Sequence, residues 1–488
     1  MRKKISVILL LVVFIASFRA IGNIFSFKFN DGIVQIRNLY KHEKNSIDVL
    51  FLGSSHVFLD VNTQVLFNDY GIASYILAGS FQPFWNNYFY LKEALKTQKP
   101  KLVMLEGLLS TGDFRHSDHS RIIKNNFGLK NSLLKMESLL ISVPKQRDDY
   151  FLGYRLFHSR YKELNASDRK AFYEKGKYRD NKGFSTSFAI QKHTRPLPSV
   201  TEDAEALPMN KKQEKYFRKI ASLCKSKKIP LFVFVSPYVV DKYKNVQKYF
   251  NYLEKLSAEL SVPFVNYNHQ DKYDEIGLDF SKDFMDISHL NYWGSQKFSK
   301  HLGSYIKENF SVPDRRGDKN YESWVINSAI FRNMPINANI RNANDIEGFI
   351  KNIKENKGIR LYINTINSTR EIAEKDFFKK LDIDGNSLKD GRLYEFENGR
   401  LVDLSDNKIN WKRVVKLFDE KAIFQQKKTY SDKISSVNSL FYNCKEYINN
   451  KNGTYLLAYD TVSREFVAIR QIVCKKAGDE CVLTLVKK

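Results

Sequence analysis

The chain has 488 residues, 43% hydrophobic and 14% aromatic, with no low-complexity tract; this is enough for two or three globular domains and excludes a disordered or fibrous chain. Its formal net charge is +25, yet the lysines are spread along the sequence without zinc-finger spacing or an RNA-recognition signature, so the charge points to an anionic membrane surface or polymer and away from nucleic acid. Four cysteines are too few for a disulfide framework, no metal-ligand spacing occurs, and neither a metal nor another cofactor is expected.

At the start of the chain, "MRKK" precedes "ISVILLLVVFIASF", fourteen uncharged residues from Ile5 to Phe18, and after Arg19 comes a second apolar stretch, "AIGNIFSF". A cleaved signal peptide and an uncleaved anchor both fit this pattern. A good small-x-small cleavage site is missing, and the two segments together reach about 20 residues, marginally enough to span a bilayer. Residues 1–27 are therefore expected to be a single-pass transmembrane helix, with Arg2, Lys3 and Lys4 in the cytoplasm and the bulk of the chain outside.

Residues 45–110 read as strand, turn, helix, strand, turn, helix, strand. "IDVLFL" (47–52), "GIASYIL" (71–77) and "PKLVMLE" (100–106) are the strands, and "NNYFYLKEALKTQ" (86–98) is a helix with apolar spacing near 3.6. This alternation implies a parallel sheet with helices on both faces. "LFVFV" (231–235) is apolar throughout, as a strand buried on both faces should be. "LEKLSAELSVPFVNYN" adds a helix and a short strand, and "GSQKFSKHLGSYIKENF" closes the unit. Residues 111–208 break the alternation. They are polar and partly helical ("LKNSLLKMESLLISV", "ASDRKAFYEKG") and read as an insertion over one end of the sheet, either building a substrate site or inert. After "PDRRGDKN" (313–320) the character changes to short β-type runs, "IRLYIN", "GRLYEF", "TYLLAYD" and "EFVAIRQI". The expected domains are thus 45–312 and a smaller β-rich α+β domain, 321–488. In the terminal hairpin Cys474 and Cys481 either pair in an oxidising compartment or remain two unrelated thiols.

Two short motifs carry the chemistry. The first strand ends abruptly in Gly53-Ser54-Ser55-His56. A serine just past a buried strand, at the mouth of an α/β sheet, is well placed as a nucleophile, although serines there also cap the following helix. Far downstream, Asp286-Ile287-Ser288-His289 sits in the loop entering the closing helix, on the same side of the sheet. The roles proposed from this placement are attack by Ser55, proton acceptance by His289, and orientation of the imidazole by Asp286.

"FLGSSH", "DISHLN" and the parallel-sheet order together resemble the SGNH/GDSL hydrolase superfamily over roughly residues 45–310. Within it, "FQP" with "YFYLKEALKTQKPKLVMLE" (81–106) and "LFHSRYKEL" (156–164) look like membrane-anchored, cell-surface members near the teichoic-acid D-alanine transfer protein. The resemblance implies a three-layer α/β/α, flavodoxin-like fold. It further implies an esterase or O-acyltransferase acting outside the membrane on a surface polysaccharide or cell-wall polymer, with a multi-pass membrane O-acyltransferase as partner. Ser55 matches the nucleophile position. The oxyanion hole falls to the backbone N–H groups of Ser55 and Gly79, although Ala78 competes with Gly79 for the register. The superfamily's third block supplies an asparagine, where this chain has Glu106; a carboxylate there would repel an oxyanion. That departure keeps open a non-catalytic binding or assembly protein on the same fold. His56 either contacts substrate beside the nucleophile or caps the next turn. His158 and Arg160 either bind an anionic donor or polymer or lie on an exposed helix face. Phe81, Trp85, Tyr88 and Phe89 read as core rather than as a sugar platform. The C-terminal segments "GFIKNIKENKGIRLYINTINSTREIAEKDFFKKLDI" and "NNKNGTYLLAYDTVSREFVAIRQI" faintly resemble an interleukin-like inducer domain, which implies a binding module without catalytic residues.

Overall fold

The computed structural model describes residues 9–14, 16–17, 24–25, 31–111, 118–143, 150, 158–162, 164, 181–240, 245–366, 372–405, 411–417, 420–429, 435–442, 445–449, 453–477 and 480–487. The described part of the first 27 residues includes a short helical stretch, 9–14, whose apolar side chains are exposed. Among the described residues no helix is long and apolar enough to cross a membrane, and most of the expected anchor lies outside them.

Two compact units divide the chain, with residues 329–488 in the second. The first is built on β1 (Val49–Gly53), β2 (Ser74–Ala78), β3 (Leu102–Glu106), β4 (Leu231–Val235) and β5 (Phe264–Asn266). These strands pair in parallel, in the order β2-β1-β3-β4-β5. The first four are buried at every position, which is why their sequences are continuous apolar runs rather than alternating ones. Successive side chains nonetheless serve opposite faces. Leu50, Leu52, Val103, Leu105 and Val233 join one core with Trp85, Phe89 and Phe217. On the other face Phe51 meets Phe234, and Phe234 meets Phe298, at ring separations of 6.3 Å each. This is the doubly wound arrangement, in which the chain leaves β1 in one direction to β2 and in the other to β3, so the carboxyl ends of β1 and β3 form the topological switch point, where such sheets bind ligands.

Among the described residues the longer helices of this unit are α1 (Ile33–Leu39), α2 (Ser55–Asp60), α3 (Thr63–Tyr70), α4 (Phe84–Ala94), α5 (His119–Asn126), α6 (Leu133–Ser142), α7 (Lys211–Lys227), α8 (Val246–Glu259), α9 (Gln270–Ile276) and α10 (Tyr292–Asn309). Trp85 is fully buried and Phe89 nearly so, as core residues should be, whereas Phe81 is 44% exposed under the Arg121 guanidinium. The insertion is tied down by a buried polar knot. Asn86 of α4 donates to Asn126 Oδ1 of α5 and to Ser138 Oγ of α6, both at 3.1 Å. The expected helix at 166–176 lies outside the described residues.

Among the described residues, the second unit takes in most of α11 (Glu322–Asn342), with α12 (Ile346–Glu355) and α13 (Ile372–Lys380), and ten strands. One antiparallel sheet joins β6 (Ile359–Ile366), β7 (Leu393–Glu397), β8 (Arg400–Asp403), β13 (Gly453–Asp460), β14 (Glu465–Ala477) and β15 (Glu480–Lys487). The other joins β9 (Trp411–Leu417), β10 (Glu420–Thr429), β11 (Ser435–Tyr442) and β12 (Lys445–Asn449). Strand periodicity sorts the cores: Leu361, Ile363 and Leu456 face α12 and α13, while Tyr362, Tyr455 and Leu457 pack with Val415 and Phe424 of the four-stranded sheet. All four β-type runs of the sequence lie within these strands apart from Gly391 and Arg392. In the terminal hairpin Cys474 stands opposite Leu483 and Cys481 opposite Lys476, so the two cysteines are not direct cross-strand partners; their side chains lie outside the described residues.

Candidate active site

The turn from β1 into α2 follows from local sterics. Gly53 ends β1 at φ +154°, and a Cβ there would sit 2.5 Å from Val57 Cγ2 and 2.7 Å from Glu106 Cβ. Only glycine lets β1 pass so close to β3 and turn into α2. Ser54 is the N-cap of α2, accepting from the His56 N–H at 3.4 Å. Ser55 is therefore the first helical residue, half-buried at the carboxyl end of β1.

The partner residues arrive on a small hairpin before α10. Phe284 and Leu290 form an isolated antiparallel bridge, Met285 N–H donates to the His289 carbonyl at 3.0 Å, and Asn291 N–H to the Asp283 carbonyl at 2.9 Å. Asp286 shapes the tip: its Oδ1 accepts the backbone N–H groups of Ser288 at 2.7 Å and His289 at 2.9 Å. His289 Nδ1 lies 3.0 Å from both carboxylate oxygens of Asp286, and Nε2 lies 2.9 Å from Ser55 Oγ. Nδ1–H donation to Asp286 leaves Nε2 as the acceptor for the serine proton, the tautomer a general base needs. The three residues singled out from the sequence are thus one hydrogen-bonded chain, although Ser55 and His289 are 234 residues apart.

Glu106 stands at the end of β3, beside the β1–α2 turn, and is 2% exposed. Its Oε1 accepts the Leu108 N–H at 2.6 Å, and its Oε2 is 3.1 Å from Ser54 Oγ. Burial outweighs these bonds and pushes the carboxyl up to about 8, so at neutral pH it is mostly the uncharged acid. This corrects the reading of Glu106 as a fixed negative charge facing an oxyanion: the sequence gives the residue type, but its charge is set by solvent exclusion. Gly79 follows β2, next to the β1–β2 pair Gly53↔Ala78. A Cβ on it would lie 2.4 Å from Asn125 Oδ1, and the neighbouring Ser80 N–H is engaged by Asp31 Oδ2 at 2.6 Å.

The expected substrate contacts fare differently. His56 is 2% exposed, with its ring 5.0 Å from that of His289 and 5.3 Å from that of Tyr238. Burial, and then the neighbouring His289, hold its pKa well below the ordinary histidine value. Its ring is thus packed against those of His289 and Tyr238 and kept neutral by solvent exclusion. Arg160 is 8% exposed and donates from Nη1 to the Phe25 carbonyl at 3.1 Å, so it does not lie on an exposed helix face. The side chain of His158 lies outside the described residues.

Sequence reasoning missed Asp60, the last residue of α2. It is fully buried, its Oδ1 accepts the Leu290 N–H at 2.9 Å, and burial raises its pKa well above the ordinary carboxyl value. The available signal was an aspartate closing the otherwise apolar "VFLD", five residues after Ser55.

A protein-family model matches residues 199–311, a stretch that includes Asp286 and His289. No curated protein matches the chain. A solved structure from Bacteroides fragilis NCTC 9343, provisionally described as an acylhydrolase, is similar at 13% identity over 56% of this chain and 93% of its own, with a TM-score of 0.27. A likeness that slight carries no functional argument.

Proposed function

We propose that this chain is a serine esterase or O-acyltransferase that forms an acyl-enzyme on Ser55. The observation that carries the reading is the hydrogen-bonded chain Ser55–His289–Asp286 at the carboxyl ends of β1 and β3. Ser55 Oγ attacks the carbonyl carbon of an ester as its proton passes to His289 Nε2. Asp286 stabilises the imidazolium through Nδ1–H. Collapse of the tetrahedral intermediate breaks the ester C–O bond, and His289 returns the proton to the departing alkoxide. The acyl group then leaves Ser55 for water or for a sugar hydroxyl, deprotonated in turn by His289. The backbone N–H groups of Ser55 and Gly79 are assigned to the oxyanion. A mostly neutral Glu106 removes the repulsion that would have argued for a dead site.

The SGNH-type resemblance, the basic-then-apolar N-terminus and the +25 charge support an anchored protein with its bulk outside the membrane. Its acceptor would be a surface polysaccharide or cell-wall polymer, with a multi-pass O-acyltransferase supplying the acyl group. The test is a fluorophosphonate probe or p-nitrophenyl acetate applied to the folded chain. The expected result is modification at Ser55, abolished by Ser55→Ala and by His289→Ala and only weakened by Asp286→Asn. A folded chain that labels at no serine would sink the catalytic reading and leave the non-catalytic assembly protein.

A further inference from the structure

We infer that Asp60 is a positioning residue for His289, tying the loop that carries the imidazole to the helix that carries the nucleophile. The inference rests on the assignment of Ser55 and His289 as nucleophile and base. Helix α2 begins at Ser55 and ends at Asp60. At its first residue, Ser55 Oγ meets His289 Nε2 at 2.9 Å; at its last, Asp60 Oδ1 accepts the N–H of Leu290, the very next residue, also at 2.9 Å. One short helix therefore grips the loop at two consecutive residues, once through a side chain and once through the backbone.

The other supports of the 283–291 loop act within it or from outside it. At its base the Gln191 N–H donates to the Phe284 carbonyl at 2.9 Å and the Asn291 side chain to the Ala189 carbonyl at 3.2 Å. Asp286 holds the N–H groups of Ser288 and His289 from within the same loop, which fixes its shape but not its distance from Ser55. Outside the loop, the Val239 N–H reaches the Ile287 carbonyl at 3.1 Å. Asp60 and Leu290 are both fully buried, so water cannot substitute for the acceptor, and a buried N–H left without one bears its full desolvation penalty. His56 adds a second restraint from the same helix. Its ring lies against His289 at 5.0 Å, and its Nδ1 is 3.7 Å from Asp60 Oδ2. That arrangement backs the base on the side away from solvent. The contacts from α2 thus hold the loop beside Ser55 at His289 and at the residue next to it.

The test compares Asp60→Asn, which keeps an acceptor oxygen for Leu290, with Asp60→Ala, which removes it, in the full chain. Two readouts are taken: the rate of Ser55 labelling by a fluorophosphonate, and hydrogen exchange of the Leu290 amide. Asp60→Ala should slow labelling roughly 10–100-fold, whereas Asp60→Asn should stay within about threefold of wild type. Exchange at Leu290 should accelerate only in the alanine variant. If Asp60→Ala does not fold, Asp60→Val, which fills the space without an acceptor, takes its place. An Asp60→Asn variant as slow as the alanine one would overturn the inference, as would a folded Asp60→Ala or Asp60→Val protein with wild-type labelling and exchange. Should wild type itself fail to label, the proposed activity falls and the exchange measurement alone decides the clamp.

Discussion

Replacing Glu106 with glutamine should change how stability depends on pH, and the size of the change follows from burial. The carboxyl moves from 4.5 in an unfolded chain to about 8 in the folded one; at about 1.4 kcal/mol per pH unit this amounts to about 5 kcal/mol. The folded state holds a proton that the unfolded state releases between these values. Stability from this group is therefore fully present below pH 4.5 and is lost as pH rises through about 8. Glu106→Gln preserves the shape and an acceptor for the Leu108 N–H but cannot ionise. Its advantage over wild type should be near zero at pH 4 and should widen by up to about 1.4 kcal/mol per unit towards pH 8. The total of about 5 kcal/mol is an upper bound, because water reaching the ionised group relieves part of the cost. Urea unfolding followed by tryptophan fluorescence, from pH 4 to 9, measures the difference. Asp60, raised by burial and also by the Glu106 charge, is present in both proteins, so the difference reports Glu106 together with its coupling to Asp60. Parallel stability curves for the two proteins would refute a buried neutral carboxyl at this site.

Gly53→Ala should destabilise the chain by about 1–3 kcal/mol, since the new methyl has no room between Val57 and Glu106; thermal unfolding measures this, and a wild-type melting temperature would contradict the packing described. Ser54→Ala removes the α2 cap and the contact with Glu106 and should cost about 1 kcal/mol. It should leave fluorophosphonate labelling at Ser55 largely intact, and mass spectrometry of the modified peptide would expose an error in the choice between the adjacent serines.

Much of the α/β unit was legible in the sequence because its signals are local. A strand buried on both faces must be apolar at every position, so "VLFL" and "LFVFV" announce themselves. A glycine followed by two serines marks the turn and the cap. The nine-histidine chain placed one histidine three residues after an aspartate in a loop before a helix, and that spacing lets the carboxylate turn back to the ring. Helix α7, by contrast, was not singled out, since its lysine-rich "KKQEKYFRKIASLCKSK" hides one apolar stripe among charges.

What the tertiary structure alone decided is everything that depends on distant segments sharing an environment. The sheet order puts β1 between β2 and β3, which brings Glu106 against Gly53 and makes it mostly neutral, although the same glutamate on a surface would be charged. Packing of α2 against the 283–291 hairpin turned His56 inward and gave Asp60 its partner 230 residues away. Arg160 reads as a surface cation in its own segment and is buried in the fold. Residue type and spacing fix which groups are able to do chemistry. Their charge and aim come from solvent exclusion and long-range pairing, which no short stretch of chain contains.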